Sequence, residues 1–154
     1  GEDIGDIFVR SSKLNGIKCS SKLIVKSIDE LLVIWIACGL AKGKSYFKDI
    51  AELRFKESDR IKSGSEILNK LGIKNHSNNN SLTIYGNPNL KLEKKIIISS
   101  NLDHRKAITS FIAASVIGAE VLIKNFETVA SSFPNFLKLQ KKIIGIKYEV
   151  KKNY

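Results

Sequence analysis

The chain has 154 residues, 43% of them apolar, and a formal net charge of +11. That length fits one domain or a large piece of one, and the apolar fraction excludes a disordered chain. The charge leaves a basic nucleic-acid-binding module as an alternative, although the lysines are scattered and no basic stripe alternates with aromatic side chains. Cys19 and Cys38 lack the spacing of a metal site and are too few for a disulfide framework.

Hydrophobic periodicity and breaker residues divide the first half of the chain into strands and helices. The predicted elements are, in order, strands over 7–10 and 16–18, a helix from Asp29 to about Gly43, a strand over 44–53, a helix over 57–71 and a hairpin over 73–85. Asp29 is the expected N-cap of the first helix, and Gly72 stops the second. Residues 31–41 are apolar on all sides and should be buried, whereas the second helix is amphipathic and should lie outside. The apolar run is too short for a bilayer, which needs about 20 residues, so we expect a cytoplasmic protein with no membrane contact.

The second half follows the same order of elements. Here the pattern predicts a strand over 95–98, a helix from Asp103 to about Gly118, a strand over 120–126, a helix from Phe133 to Gly145 and a strand over 146–150. Residues 48–50 correspond to 124–126, and residues 71–74 correspond to 144–147. A period of about seventy residues is too long for a solenoid. We therefore expect an internal repeat of approximately 16–98 and 99–154 within one partial domain over 1–154. Its fold class is α/β, with repeated βαβαββ-type units and buried helices wrapped by sheets.

Two charged motifs fall at predicted helix starts. Residues 54–60 read Arg-Phe-Lys-Glu-Ser-Asp-Arg, and residues 103–105 read Asp-His-Arg. A helix start favours anions, because its free backbone N–H groups and its dipole point outward. Taken singly, each motif is typical of an ordinary solvated helix start, and Asp29 is typical of an N-cap. Together, the two starts indicate a pocket for a small, multiply charged anion such as a phosphate ester.

The motifs also resemble those of a known family. Lys-Glu-Ser-Asp-Arg after Glu-Leu-Arg, then Asp-His-Arg-x-Ala, then Ser-Phe-Pro-x-Phe, with Ile28-Asp29-Glu30 upstream, resembles the 5-enolpyruvylshikimate-3-phosphate synthase family. The resemblance covers essentially the whole chain but only the distal part of the family's length. It implies that the chain is part of one globule of the enolpyruvyl transferase fold, an inside-out α/β barrel. It also implies a partner, the N-terminal half of the enzyme, without which we expect no turnover.

The resemblance assigns roles in the transfer of an enolpyruvyl group from phosphoenolpyruvate to the 5-hydroxyl of shikimate 3-phosphate. Asp29 would be the base and also a substrate ligand, and Glu57 would be the proton donor. Arg60 and Arg105 would clamp phosphoenolpyruvate, since guanidinium forks match carboxylate and phosphate oxygens. Lys56 would face shikimate 3-phosphate. Neither a metal nor another cofactor is implied.

Some positions depart from the family pattern. Lys106 stands where the family usually has Met, and Ser131 stands where some members supply a lysine. Glu52 occupies a position where some members have a substrate-contacting asparagine. Enolpyruvyl transfer to UDP-N-acetylglucosamine, which a sister enzyme of the same fold performs, therefore stays an alternative.

Overall fold

The computed structural model describes residues 4–150, in which the strands form two sheets. The first sheet has the order β1-β2-β4-β3, with β1 at Lys18–Cys19, β2 at Gly43–Lys48, β3 at Asn75–Ser77 and β4 at Ser81–Gly86. β1 and β2 are parallel, while β4 is antiparallel to both of its neighbours. The second sheet pairs β5 (Ile96–Ser99) with β6 (Val121–Lys124) in parallel.

Within residues 4–150, five α-helices and two 3₁₀ helices accompany these strands. The α-helices are α1 at Ser21–Lys26, α2 at Leu31–Gly39, α3 at Arg60–Lys70, α4 at His104–Ile117 and α5 at Phe136–Ile144. The 3₁₀ helices span Ala51–Phe55 after β2 and Phe126–Ser131 after β6. Among residues 4–150, no helix has the length and apolar character needed to cross a membrane.

Helix α2 lies at the centre of the larger hydrophobic core. Its composition is apolar on all sides, which is the pattern of a buried helix. Trp35 is fully buried and meets Phe47 of β2 edge to face, with ring centroids 5.9 Å apart. Helix α3 approaches α2 closely at Gly64, where an added Cβ would lie 2.3 Å from Trp35 Cε3. A smaller cluster around Phe111 and Phe136 joins α4 to α5. The expected burial is confirmed for most of α2, although Val33 and Ala37 are exposed, and α3 is amphipathic as expected.

Several predicted strands differ from the structure. Residues 7–10 form no strand, and Ile7, Phe8 and Val9 are more than four-fifths exposed. Residues 146–150 form no strand either. Apolar alternation marks a segment that suits a sheet, but a strand exists only where a partner supplies its hydrogen bonds. The strand predicted over 44–53 ends at Lys48, because Asp49 adopts a left-handed conformation with φ 63° and a 3₁₀ helix follows.

The predicted helix starts are partly wrong. The N-cap of α2 is Glu30, which makes no side-chain capping bond, and the Asp29 carboxylate contacts arginines instead. Helix α3 begins at Arg60 and not at residue 57, because Asp59 has an extended backbone and caps the helix. Helix α1 was not predicted from the sequence. By contrast, the helix opened by Asp103, the hairpin of β3 and β4, and the helix end at Gly145 are confirmed.

The predicted internal repeat finds support in the backbone. Asp49 and Asn125, which follow β2 and β6, have φ angles of 63° and 57°, and a 3₁₀ helix comes after each. Gly72 and Gly145, at the ends of α3 and α5, have φ angles of 74° and 62°. These are left-handed conformations that few residue types adopt readily. The boundaries of the repeat and of the single partial domain stay a prediction.

Candidate anion-binding and active site

The first part of the site is the start of helix α3. Asp59 caps the helix by accepting a hydrogen bond from the Lys62 backbone N–H at 2.9 Å, and it also forms a 2.6 Å ion pair with Arg54. Arg54 further donates to the backbone carbonyls of Asn78 and Asn79 in the turn between β3 and β4. The cap is therefore fixed to the sheet, which sets the direction of Arg60 at the first position of α3. Nothing in the sequence pattern assigned this role to Arg54.

The second part is the start of helix α4. The Asp103 carboxylate accepts from the backbone N–H groups of Arg105 and Lys106, at 2.9 and 3.2 Å. Its other oxygen accepts a 2.6 Å hydrogen bond from the Ser58 hydroxyl. Because Ser58 lies just before α3, this bond joins the two helix starts. A serine in a polar stretch carries no sequence signal for such a contact.

Between the two helix starts, two carboxylates and two guanidinium groups form a closed ring. Asp29 contacts Arg60 Nη1 at 2.9 Å and Arg105 Nη2 at 3.1 Å. Glu57 contacts Arg60 Nη2 at 2.5 Å and Arg105 Nη1 at 3.0 Å. Each carboxylate thus bridges both arginines, and the charges of the four groups sum to zero. The structure brings together these four predicted site residues from separate parts of the chain, while their roles remain predictions.

Burial within this ring is uneven. The Arg60 side chain is only 2% exposed, whereas those of Asp29 and Glu57 are 48% and 52% exposed and that of Arg105 is 25% exposed. Arg60 also donates to the Ile28 carbonyl at 3.3 Å. A buried guanidinium must be paired, and Arg60 is paired on the side that faces the carboxylates. The ring therefore has the buried guanidinium of Arg60 at its base, and solvent can reach its two carboxylates.

The arginines and local hydrogen bonds keep both carboxylates ionised. A hydrogen bond from its own backbone N–H, together with Arg60 and Arg105, lowers the pKa of Glu57 to about 2. The hydrogen bond from Arg60 is the main cause that lowers the pKa of Asp29, and Arg105 adds to it. At neutral pH, Glu57 in this state carries no proton to donate, and Asp29 is a weak base.

Lys56 stands apart from this ring. Its ammonium contacts Glu52 Oε1 at 2.9 Å, four residues earlier, and the pair is partly exposed. Lys56 lies outside helix α3, which begins only at Arg60. Among residues 4–150, no group of three or more His, Cys, Asp or Glu side chains could hold a metal ion.

Two guanidinium groups held at neighbouring helix starts of an α/β unit are an arrangement typical of proteins that bind small anions. Comparison with known proteins gives the family. The profile of EPSP synthase (3-phosphoshikimate 1-carboxyvinyltransferase) matches residues 1–139. The chain belongs to this family.

Individual relatives agree with this assignment. The 3-phosphoshikimate 1-carboxyvinyltransferase of Clostridium tetani is 39% identical over 146 residues, which are 95% of this chain and 33% of that protein. The enzyme of the same name from Petrotoga mobilis is 39% identical over 94% of this chain and 33% of its own length. The chain therefore spans about a third of the length of these relatives.

Solved structures show the same fold. An EPSP synthase from Acinetobacter baumannii superposes with a TM-score of 0.74 at 29% identity, over 91% of this chain and 32% of that one. The enolpyruvyl transferase NikO from Streptomyces tendae superposes with a TM-score of 0.62 at 18% identity, over 88% of this chain and 28% of its own, and this likeness concerns the fold alone. The expected α/β fold of the enolpyruvyl transferases is confirmed.

Proposed function

We propose that this chain supplies one side of an active site that transfers the enolpyruvyl group of phosphoenolpyruvate to the 5-hydroxyl of shikimate 3-phosphate. The observation that carries the proposal is the ring of Asp29, Glu57, Arg60 and Arg105, which contains two cations and two acid–base groups. Membership of the EPSP synthase family supports this choice of substrates. The complete enzyme is proposed to be cytoplasmic.

The reaction needs two proton transfers and a stabilised anion. The hydroxyl oxygen forms a bond to C2 of phosphoenolpyruvate while its proton goes to Asp29, and Glu57 donates a proton to the methylene carbon C3. Loss of a C3 proton and cleavage of the C2–O bond to phosphate then release inorganic phosphate and leave the enolpyruvyl ether. Arg60 and Arg105 hold the anionic oxygens of phosphoenolpyruvate throughout.

In the ring as it stands, both arginines are already occupied by carboxylates. Phosphoenolpyruvate brings a carboxylate and a phosphate, and both groups match the guanidinium forks. When these oxygens take the places of Glu57 and Asp29 on the arginines, Glu57 loses contacts that lower its pKa. The incoming negative charge further favours its protonated form. Substrate binding thereby raises the pKa of Glu57 toward that of a proton donor and makes Asp29 a stronger base, while the backbone hydrogen bond of Glu57, the largest cause of its low pKa, has to be lost as its carboxyl moves.

The remaining groups of the active site are proposed to come from the other globule of the enzyme. Lys56, which precedes Glu57 in the chain and pairs with Glu52 outside the ring, is proposed to face shikimate 3-phosphate. The 154-residue chain alone should then bind anions weakly and show no turnover. Steady product formation by this chain alone, with both substrates present, would contradict a divided site.

The proposal is tested by Glu57→Gln in the full-length enzyme that carries this sequence. Loss of the proton donor should lower kcat by about 10²–10⁴-fold while changing the affinity for phosphoenolpyruvate far less. Glu93→Gln is the matched control, because Glu93 is exposed and outside the ring. An unchanged kcat in Glu57→Gln would contradict the assigned role. Comparison of shikimate 3-phosphate with UDP-N-acetylglucosamine as acceptor separates the proposed reaction from that of the sister enzyme.

A further inference from the structure

An ion pair that is buried only at its lysine joins the same two helices as the ring but takes no part in it. The Lys106 side chain is 2% exposed, and its ammonium contacts Glu66 Oε2 at 2.8 Å. Lys106 immediately follows Arg105 on α4, and Glu66 lies on α3. The pair therefore connects the same two helices whose first turns carry Arg60 and Arg105.

A gain in folding stability is a weak explanation for the ion pair between Lys106 and Glu66. Taking an ammonium group out of water is costly, and replacing a buried ion pair with apolar side chains of similar volume is often neutral or stabilising. Met has nearly the length of Lys and would fill the same space without a charge. A charge in the contact between the helices instead favours one relative position of the two, because within residues 4–150 the ammonium of Lys106 has Glu66 as its ion-pair partner.

The geometry gives the pair a positioning role. The bond from Ser58 to Asp103 ties the start of α4 to the residues just before α3, and the apolar packing of α4 begins only at Ala107, after Arg105. Glu66 lies six residues along α3 from Arg60, about 9 Å along the helix axis. Its bond to Lys106 is a second tether at a distance from the first. Two separated tethers fix both the spacing and the rotation of the first turn of α4, from which Arg105 reaches Asp29 and Glu57.

We propose that Lys106 and Glu66 are positioning residues that hold the Arg105 guanidinium at the correct distance from Arg60 to grip phosphoenolpyruvate. This inference rests on the proposed function for its substrate, although the positioning of Arg105 can be observed without turnover. The expected consequence is a selective loss of phosphoenolpyruvate binding when the pair is removed. A misplacement of about 1 Å in a binding group is enough to lower efficiency by about tenfold or more.

The test uses Lys106→Met in the full-length enzyme that carries this sequence. Glu66 is 45% exposed, so it remains hydrated when its partner is lost, and the variant buries no unpaired charge. We expect the KM for phosphoenolpyruvate to rise about tenfold, with kcat changed by less than about twofold. Lys106→Arg, which keeps the charge opposite Glu66, should restore most of the affinity. The double variant Lys106→Met with Glu66→Gln should show the same rise in KM as Lys106→Met. It replaces the single variant in the test if Lys106→Met folds poorly.

Lys70→Met is the matched control. Lys70 and Lys106 line the same cavity, of about 440 Å³, yet Lys70 is exposed on α3 and belongs to none of the ion pairs found among residues 4–150. Its loss removes the same charge from the cavity without removing the tether, so the KM should stay at the wild-type value. An equal rise in KM for Lys70→Met and Lys106→Met would overturn the proposal in favour of a general charge effect.

A second readout separates this inference from the proposed function. The guanidinium N–H signals of Arg105 are identified in the ¹⁵N NMR spectrum by their absence from Arg105→Lys. In the wild type these protons should exchange slowly with solvent. In Lys106→Met they should lose that protection. If Lys106→Met loses the protection of Arg105 but the wild-type enzyme shows no turnover, the positioning role is supported and the proposed enolpyruvyl transfer is overturned. An unchanged Arg105 signal together with an unchanged KM overturns the positioning, whatever happens to thermal stability.

Discussion

Removal of one carboxylate from the ring should make this chain a better binder of anions. Glu57 pairs with both Arg60 and Arg105, so it competes with any incoming anion for the two guanidinium groups. Glu57→Gln removes this charged competitor and leaves both guanidiniums in place. The variant should therefore bind inorganic phosphate more tightly than the wild type, even though the same change abolishes the proposed proton donor.

The size of the gain follows from the exposure of the two ion pairs. Glu57 is 52% exposed, and ion pairs of that kind contribute about 0.2–1 kcal/mol each. Loss of both pairs frees about 1 kcal/mol of binding energy, which corresponds to an approximately fivefold lower Kd. The amide oxygen introduced by Glu57→Gln still accepts a hydrogen bond from a guanidinium, so the gain is smaller than complete loss of both pairs would give.

The assay is an NMR titration of the 154-residue chain with inorganic phosphate at constant ionic strength, because salt screens the interaction. Glu93→Gln raises the net charge by the same amount at an exposed position away from the ring, so it should leave the Kd nearly unchanged. Arg105→Ala should weaken binding and remove most of the gain produced by Glu57→Gln. An equal or higher Kd for Glu57→Gln, compared with wild type, would refute the idea that the carboxylates occupy the anion site.

Three further outcomes are expected for the stability of the chain. In the folded chain the pKa of Glu57 is lowered to about 2 and that of Asp29 is also lowered. Their contribution to the free energy of unfolding is therefore complete above about pH 5 and is lost as pH falls toward 2. The free energy of unfolding, measured by chemical denaturation at a series of acidic pH values, should fall less with pH in Glu57→Gln than in the wild type. Gly64→Ala should lower the free energy of unfolding by about 1–3 kcal/mol in urea denaturation, despite the better helix propensity of Ala, because its Cβ would lie 2.3 Å from Trp35; an unchanged midpoint would contradict this packing. Asp103→Ala should cost about 1–2 kcal/mol through loss of the α4 cap, and Asp103→Asn should cost less because Asn also caps; equal losses would argue against the capping role.

Local signals in the sequence predicted the elements that local interactions determine. Asp103 caps α4 through bonds to its own neighbours, and Gly145 ends α5 in a left-handed conformation that glycine adopts without strain. The predicted strands over 7–10 and 146–150 failed because strand formation depends on a partner elsewhere in the chain. Apolar content at those positions indicates only that a strand would be tolerated there.

Asp29 shows the same limit at the site. An acidic residue just before an apolar helix is the usual sign of an N-cap, and the sequence contains no local indication that its carboxylate has other partners. In the structure, Arg60 and Arg105, from two other helices, take both of its oxygens, and α2 begins without a side-chain cap. The resemblance to a family identified Asp29 as a site residue, whereas its pairing with both arginines follows only from the fold.

Glu57 illustrates how a wrong local structure can still bring the right residues together. The predicted helix over 57–71 would have placed Glu57 and Arg60 three residues apart on one helical face. In the structure, Glu57 lies in a bend before α3, and it contacts Arg60 from outside the helix. A glutamate within the helix would have its backbone fixed by the i to i−4 hydrogen bonds. One that precedes the helix can change its backbone angles without breaking those bonds, so the position of Glu57 suits a carboxylate that must leave the arginines when an anionic substrate arrives.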